Sequence, residues 1–250
     1  MCLLAMPCQA KTLSIAIGEY PPYSSRAKGE FNFVPALIRA AFQTQGYRVK
    51  FSYFPWGRSF VEVQKGHFDV AAYWFCTEEK QQEFYCSEAL YTETTYLFYN
   101  TKNPLVDWQN IDDLAGKLIG VTTGYSYTKE LLAAGKESKL TLDWANTDKQ
   151  NLARLIKGRI DAFPMSLIPA NYMLKKEFSK RQRKRLAYRK KPLRSDTTHL
   201  LFKKDREASS ENLNAFNKGL AEIKRNGVFD KLVSQLPSNS KQSTDKQGMN

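Results

Sequence analysis

Few residues in this chain are of types that do chemistry, and their spacing limits what that chemistry can be. The 250 residues include two histidines and four cysteines. His67 and His199 stand alone, without a second ligand at metal-binding spacing, so no metal site and no cofactor is expected. No Gly-x-Ser-x-Gly elbow, phosphate-cradling glycine loop or His-Glu metal pair is present. An enzyme would have to rely on a general acid such as Glu19. Cys2 and Cys8 lie in the apolar opening MCLLAMPCQA, which ends in the small-x-small pattern Cys8-Gln9-Ala10 of a cleavable leader. Residues 1–10 therefore read as the remnant of a signal peptide, and the mature chain as periplasmic. Cys76 and Cys86 remain, bracketing a short polar, helix-like segment at 77–85. An oxidising compartment lets them bridge; two separate buried thiols are the alternative.

The net charge of +13 favours anions in general, but much of it sits in one run, KKEFSKRQRKRLAYRKKPLR at residues 175–194. Without a zinc finger, an RNA-recognition signature or interleaved aromatics, that run reads as a solvated helix and loop face, and no nucleic-acid partner is expected. An apolar fraction of 42% with 13% aromatics is that of a soluble globular protein. The apolar runs are too short for the roughly 20 residues of a membrane span.

The elements that must position any site show an internal echo. Val63-Gln64-Lys65-Gly66-His67-Phe68-Asp69-Val70 is matched by Leu155-Ile156-Lys157-Gly158-Arg159-Ile160-Asp161-Ala162. Each copy reads as an amphipathic helix ending at a left-handed glycine, followed by a short apolar strand. Strand-then-turn segments precede both, at residues 13–19 and 117–124. Two similar α/β lobes are implied. Residues 94–100 and 199–203 read as strands able to cross between them. Residues 210–236 are helical with a break at Asn226-Gly227 and are expected on the first lobe. The expected division is 11–96 with 197–236 for lobe 1, 97–196 for lobe 2, and a disordered tail at 237–250.

Several short motifs lie in a telling order: Glu19-Tyr20-Pro21-Pro22-Tyr23, Pro55-Trp56, Gly66-His67-Phe68-Asp69, Thr77-Glu78-Glu79-Lys80 leading to Ser87, Asp113-Leu114-Ala115-Gly116-Lys117 leading to Gly120 and Gly124, and Gly158-Arg159-Ile160-Asp161. Together they resemble the family 3 extracellular solute-binding proteins, over nearly all of residues 11–236. The resemblance implies a periplasmic-binding-protein fold, two α/β lobes of mixed sheet flanked by helices and joined by two hinge strands, with the ligand in the cleft. It also implies a monomer that captures an anionic or amino-acid-like molecule for the membrane subunit of an ABC transporter. A dehydratase-like enzyme and a ligand-sensing receptor are the alternatives on the same fold.

By the same resemblance, Tyr20 and Trp56 cover the ligand with flat aromatic faces; a turn aromatic and a core anchor are the plainer readings. Tyr125, through its amide, and Ser126 fall where a helix N-terminus would receive an anion, an N-capping serine being the alternative. Two positions depart from the family pattern. Lys80 stands where an arginine usually forks onto a carboxylate, and Ser166 where an acidic residue usually meets the ligand ammonium. Glu19 is a candidate replacement for the acid, or a solvent-facing turn residue. Arg58 is a candidate replacement for the fork, or a helix-surface arginine. Tyr73 and Trp74, with Phe75, make a bulky lining suited to a flat or apolar-bodied ligand, unless they serve the sheet core.

Overall fold

A computed structural model describes residues 11–27, 29 and 31–237; the expected leader and nearly all of the expected tail lie outside them. The chain runs β1 (Thr12–Gly18), α1 (Phe33–Thr44), β2 (Arg48–Phe54), α2 (Trp56–Gln64), β3 (Val70–Phe75), α3 (Glu78–Glu83), β4 (Phe84–Cys86) and β5 (Tyr91–Asn100). A 3-10 turn (Ile111–Leu114) leads to β6 (Leu118–Thr122), α4 (Lys129–Lys136), β7 (Thr141–Ala145), α5 (Asp148–Ile156), β8 (Ala162–Ser166), α6 (Leu167–Glu177) and α7 (Lys180–Arg183). The 18-residue β9 (Leu186–Lys203), α8 (Ser209–Arg225) and α9 (Val228–Ser234) complete it.

Contacts divide the chain into two compact units. The first holds residues 11–19, Tyr23–Leu90 and Thr198–Gln235; the second holds Tyr20–Pro22, Tyr91–Thr197 and residues 236–237. In the first, β2, β1 and β3 are parallel neighbours and the end of β9 pairs antiparallel with β3 and β4. Helix α1 buries Phe33, Val34, Leu37, Ile38, Ala41 and Phe42, a stripe at helical spacing. Phe42 meets Phe216 of α8 at 5.2 Å between ring centroids, so the C-terminal helices return to this unit as the periodicity predicts. Gly227, at φ 79, makes the break between α8 and α9.

In the second unit β5 pairs antiparallel with β8, and β6 lies parallel to both β7 and β8. Its core gathers Leu97, Trp108, Leu114, Ile119, Leu131 and Leu140. The basic run departs from the solvated helix and loop expected of it, because from Leu186 onward it is strand. Leu186 and Ala187 are buried, and Tyr188 packs on Tyr96 at 5.3 Å and Phe98 at 5.6 Å. Those three residues hold the segment on β5 despite the charges around them.

The internal echo has the same construction in both units. Gly66 and Gly158 take left-handed φ of 78° and 69°, where a Cβ would be strained. The aspartate three residues on then clasps a strand. Asp69 N donates to Ser14 O and its carboxylate accepts from Ser14 N at 2.8 Å; Asp161 N donates to Leu118 O and its carboxylate accepts from Leu118 N, also at 2.8 Å. Arg206 further ties the first copy, donating to Gly66 O, Phe68 O and Asp69 Oδ1.

Cys76 and Cys86 form a disulfide with Cα atoms 6.1 Å apart, closing a loop over α3. A loop of this length restricts the unfolded chain enough to contribute about 2–3 kcal/mol. Cys76→Ser with Cys86→Ser should lower the urea midpoint accordingly, and reductant should do the same to the wild type. A midpoint insensitive to reductant would show that the bridge constrains nothing.

Candidate functional site

The parallel strands of each unit end, at their carboxyl termini, in the residues best suited to hold a ligand, as is general for open α/β sheets. In the second unit these ends are Thr122 of β6, Ala145 of β7 and Ser166 of β8. Ser166 is 3% exposed, and its hydroxyl donates to Glu93 Oε1 at 2.6 Å. Glu93 lies on β5 two residues before Thr95, the register partner of Ser166, and so shares its face. The Tyr20 hydroxyl also hydrogen-bonds Ser166. Tyr20, expected within residues 11–96 of the first lobe, packs with this unit, edge-on to Tyr125 with ring centroids 6.0 Å apart.

Asp148 completes the cluster from the first turn of α5. Its carboxylate accepts from Thr122 Oγ1 at 2.6 Å and from the Tyr125 hydroxyl at 2.8 Å, and Asn151 Nδ2 donates to Thr122 Oγ1 at 3.1 Å. Burial pushes its carboxyl up to about 6, against the pull of those two hydroxyls. Burial, with Glu93 and Asp148 nearby, holds the Tyr20 and Tyr125 phenols well above their ordinary range, so both remain O–H donors.

The Asp148 shift implies a pH dependence with a definite sign. Between the ordinary carboxyl value near 4 and about 6, the folded state holds a proton that the unfolded state has lost. Stability therefore falls as pH rises through that window and levels off above it. Asp148→Asn should remove this slope and gain on the wild type by about 2 kcal/mol from pH 4 to pH 7. Parallel urea curves for the two proteins at both pH values check this, and an unchanged difference would place the carboxyl at its ordinary value.

In the first unit the strand ends carry aromatics. The Trp56 indole lies against Gly18, where a Cβ would sit 2.2 Å from the ring, and its Nε1 donates to Glu19 O at 3.3 Å. Trp74 meets Trp56 in a T-shape at 5.6 Å and Phe60 at 5.4 Å. The Lys80 ammonium rests over Trp74 at 5.5 Å and Phe60 at 6.0 Å, a cation held by aromatic faces. Tyr73 takes a left-handed φ of 66° at a bulge in β3 and turns to Tyr23 at 5.5 Å. Tyr73 and Trp74 are both buried, as are Val70, Ala71 and Ala72 before them, the pattern of a strand covered on both faces.

The structure thus brings Trp56, Trp74 and Lys80 together in one unit and Tyr20, Tyr125 and Ser166 together in the other. Four candidates have the following surroundings. The Tyr125 amide is engaged in a turn with Thr122 O, while its hydroxyl donates to Asp148 Oδ2. Ser126 neither begins nor caps a helix: α4 starts at Lys129, and Thr128 Oγ1 accepts from Leu131 N as its cap. The Glu19 carboxylate is engaged by Arg26 N and Nε. Arg58 is a helix-surface arginine, paired with Glu62 one turn on and stacked over Phe54.

Sequence reasoning missed Glu93 and Asp148. An acid inside the aromatic and β-branched strand YTETTYLFYN was a usable signal, since such a strand rarely carries an isolated charge. Thr147-Asp148 resembles an ordinary helix start, and nothing local marks that carboxylate as buried.

Two α/β units with polar and aromatic side chains at the carboxyl ends of their parallel strands define a two-lobed solute-binding fold. The chain belongs to the bacterial extracellular solute-binding proteins, family 3, whose family model matches residues 13–236. Membership of that family makes it an extracellular solute-binding protein. Among solved structures, an ancestral arginine-binding protein bound to arginine superposes with a TM-score of 0.77 at 20% identity, covering 91% of this chain and 98% of that one. An amino acid ABC transporter substrate-binding protein from Streptococcus pneumoniae, bound to L-arginine, gives 0.70 at 23% identity over 89% and 93%. A histidine kinase sensor domain with similarity to periplasmic binding proteins gives 0.76 at 18% over 91% and 96%. At these identities the likeness establishes the fold alone. Among curated proteins, none matches the sequence.

Proposed function

We propose that this protein captures an amino-acid-like solute through a cationic group, an ammonium or a guanidinium, and delivers it to the membrane subunit of an ABC transporter. The carrying observation is Asp148, 4% exposed, whose carboxylate accepts only from neutral hydroxyls and forms no ion pair among the described residues. Glu93 stands in the same unit against Ser166, so the acid absent at position 166 is supplied from the neighbouring strand. Carboxylate acceptors set among phenols that stay protonated suit a group offering several N–H donors. Trp56, Trp74 and Lys80 are the first unit's candidates for ligand contact, with Lys80 the candidate for an anionic end. Arginine is the ligand held by two of the similar solved structures, which accords with this reading.

Calorimetry of the purified protein tests it, with L-arginine, L-glutamine, L-cystine and, lacking any cationic group, succinate and glutarate. A solute bearing a cationic group is expected to bind, and its analogue without any cation, N-acetylglutamine for glutamine or Nα-acetylcitrulline for arginine, to fail. Tight binding of a dicarboxylate would overturn the reading.

A further inference from the structure

The basic run divides into two sets of cations with different surroundings. Along β9 the charges are engaged: Arg189 pairs with Asp107 and stacks over Tyr99, Lys191 lies over Trp108, and Arg194 pairs with Asp196. Around α7 they are not. Lys180, Arg181, Lys184 and Arg185 line a surface concavity of about 650 Å³ together with Thr101 and Lys102 from the end of β5. Among the described residues none of these five cations makes an ion pair or a side-chain hydrogen bond. The concavity is a built feature: Thr101 N donates to Arg185 O at 2.8 Å, and α7 is fixed by a capping box in which Ser179 and Gln182 bond reciprocally.

We propose that this concavity is a binding site for a ligand carrying clustered phosphoryl groups, either a soluble polyphosphorylated anion or the headgroups of an anionic phospholipid. Five like charges on one wall repel each other, and a multivalent anion relieves this more than separate monovalent ions do. Lysines act as mobile point charges for phosphate oxygens, and the two arginines add planar forks that match them. The lining holds no aromatic on which a nucleic-acid base could stack and no apolar anchor for a protein hot spot. The site shares no residue with the acidic cluster and does not depend on the proposed solute.

The test uses the whole protein and three probes: sodium tripolyphosphate and a single-stranded oligonucleotide of equal charge by calorimetry, and sedimentation with vesicles of phosphatidylglycerol in phosphatidylcholine against phosphatidylcholine alone. The site variant is Lys180→Gln, Arg181→Gln, Lys184→Gln; the control is Lys65→Gln, Lys157→Gln, Lys231→Gln, which removes the same charge from other exposed positions. Circular dichroism verifies that both variants fold. Binding of tripolyphosphate or of the vesicles should weaken at least about tenfold in the site variant and change less than about twofold in the control. Tripolyphosphate alone would identify a soluble ligand, and vesicles alone a headgroup. Equal weakening in both variants, no binding of tripolyphosphate or vesicles, or preference for the oligonucleotide would overturn the proposal.

Discussion

Glu93→Gln should reduce solute affinity by about a hundredfold while leaving the protein folded. The substitution keeps the shape of the side chain and an oxygen to accept from Ser166, whose hydroxyl lies 2.6 Å from Glu93 Oε1. It removes only the charge. Glu93 is 6% exposed, so its attraction for a ligand cation is little screened by solvent or salt. Removing one member of a buried charge pair costs about 2–5 kcal/mol, and about 3 kcal/mol is the hundredfold expected. Calorimetry of wild type and variant with whichever solute binds in the panel gives the ratio, and thermal unfolding verifies the fold. Unchanged affinity would remove Glu93 from the site, while failure of every cationic solute to bind the wild type would instead remove the proposed ligand class.

Trp74→Ala should destabilise the protein by about 3–5 kcal/mol, the largest stability effect expected of any substitution among the candidates. The side chain is 7% exposed and joins the Trp56, Phe60 and Phe84 cluster, so truncation leaves a cavity among rings that cannot collapse together. It also removes one of the two faces on which the Lys80 ammonium rests. The indole Nε1 has no hydrogen-bond partner among the described residues, so Trp74→Phe sacrifices packing volume alone and should recover more than half of the loss. Urea denaturation of the three proteins measures both effects. A cost below about 1 kcal/mol for Trp74→Ala would show that Trp56 and Phe60 close the gap without it.

Much of the architecture was legible because it is written in local chemistry. Gly66 and Gly158 stop their helices with positive φ, and Asp69 and Asp161 clasp the neighbouring strand, so one short motif marks corresponding places in both units. Cys76 and Cys86 flank a short polar helix that brings their Cα atoms to 6.1 Å. The break at Gly227 and the apolar periodicity before it place α8 and α9. In each case a short run of adjacent residues marks the element, although the clasps themselves join Asp69 to Ser14 and Asp161 to Leu118 across 55 and 43 residues.

The acidic cluster is of another kind. Ser166 meets Glu93 across 73 residues of chain, Thr122 meets Asp148 across 26, and Tyr20 joins them from a turn near the start. Those meetings depend on the register of β5 against β8 and of β6 against β7, which is decided by the packing of whole strands. The sequence by itself determined the α/β class, the repeated units, the disulfide candidates and the aromatic residues at the strand ends. Only the tertiary structure decided that the carboxylates of Glu93 and Asp148 are buried among hydroxyls and that Arg58 remains on the surface, because burial and pairing arise from segments distant in the chain.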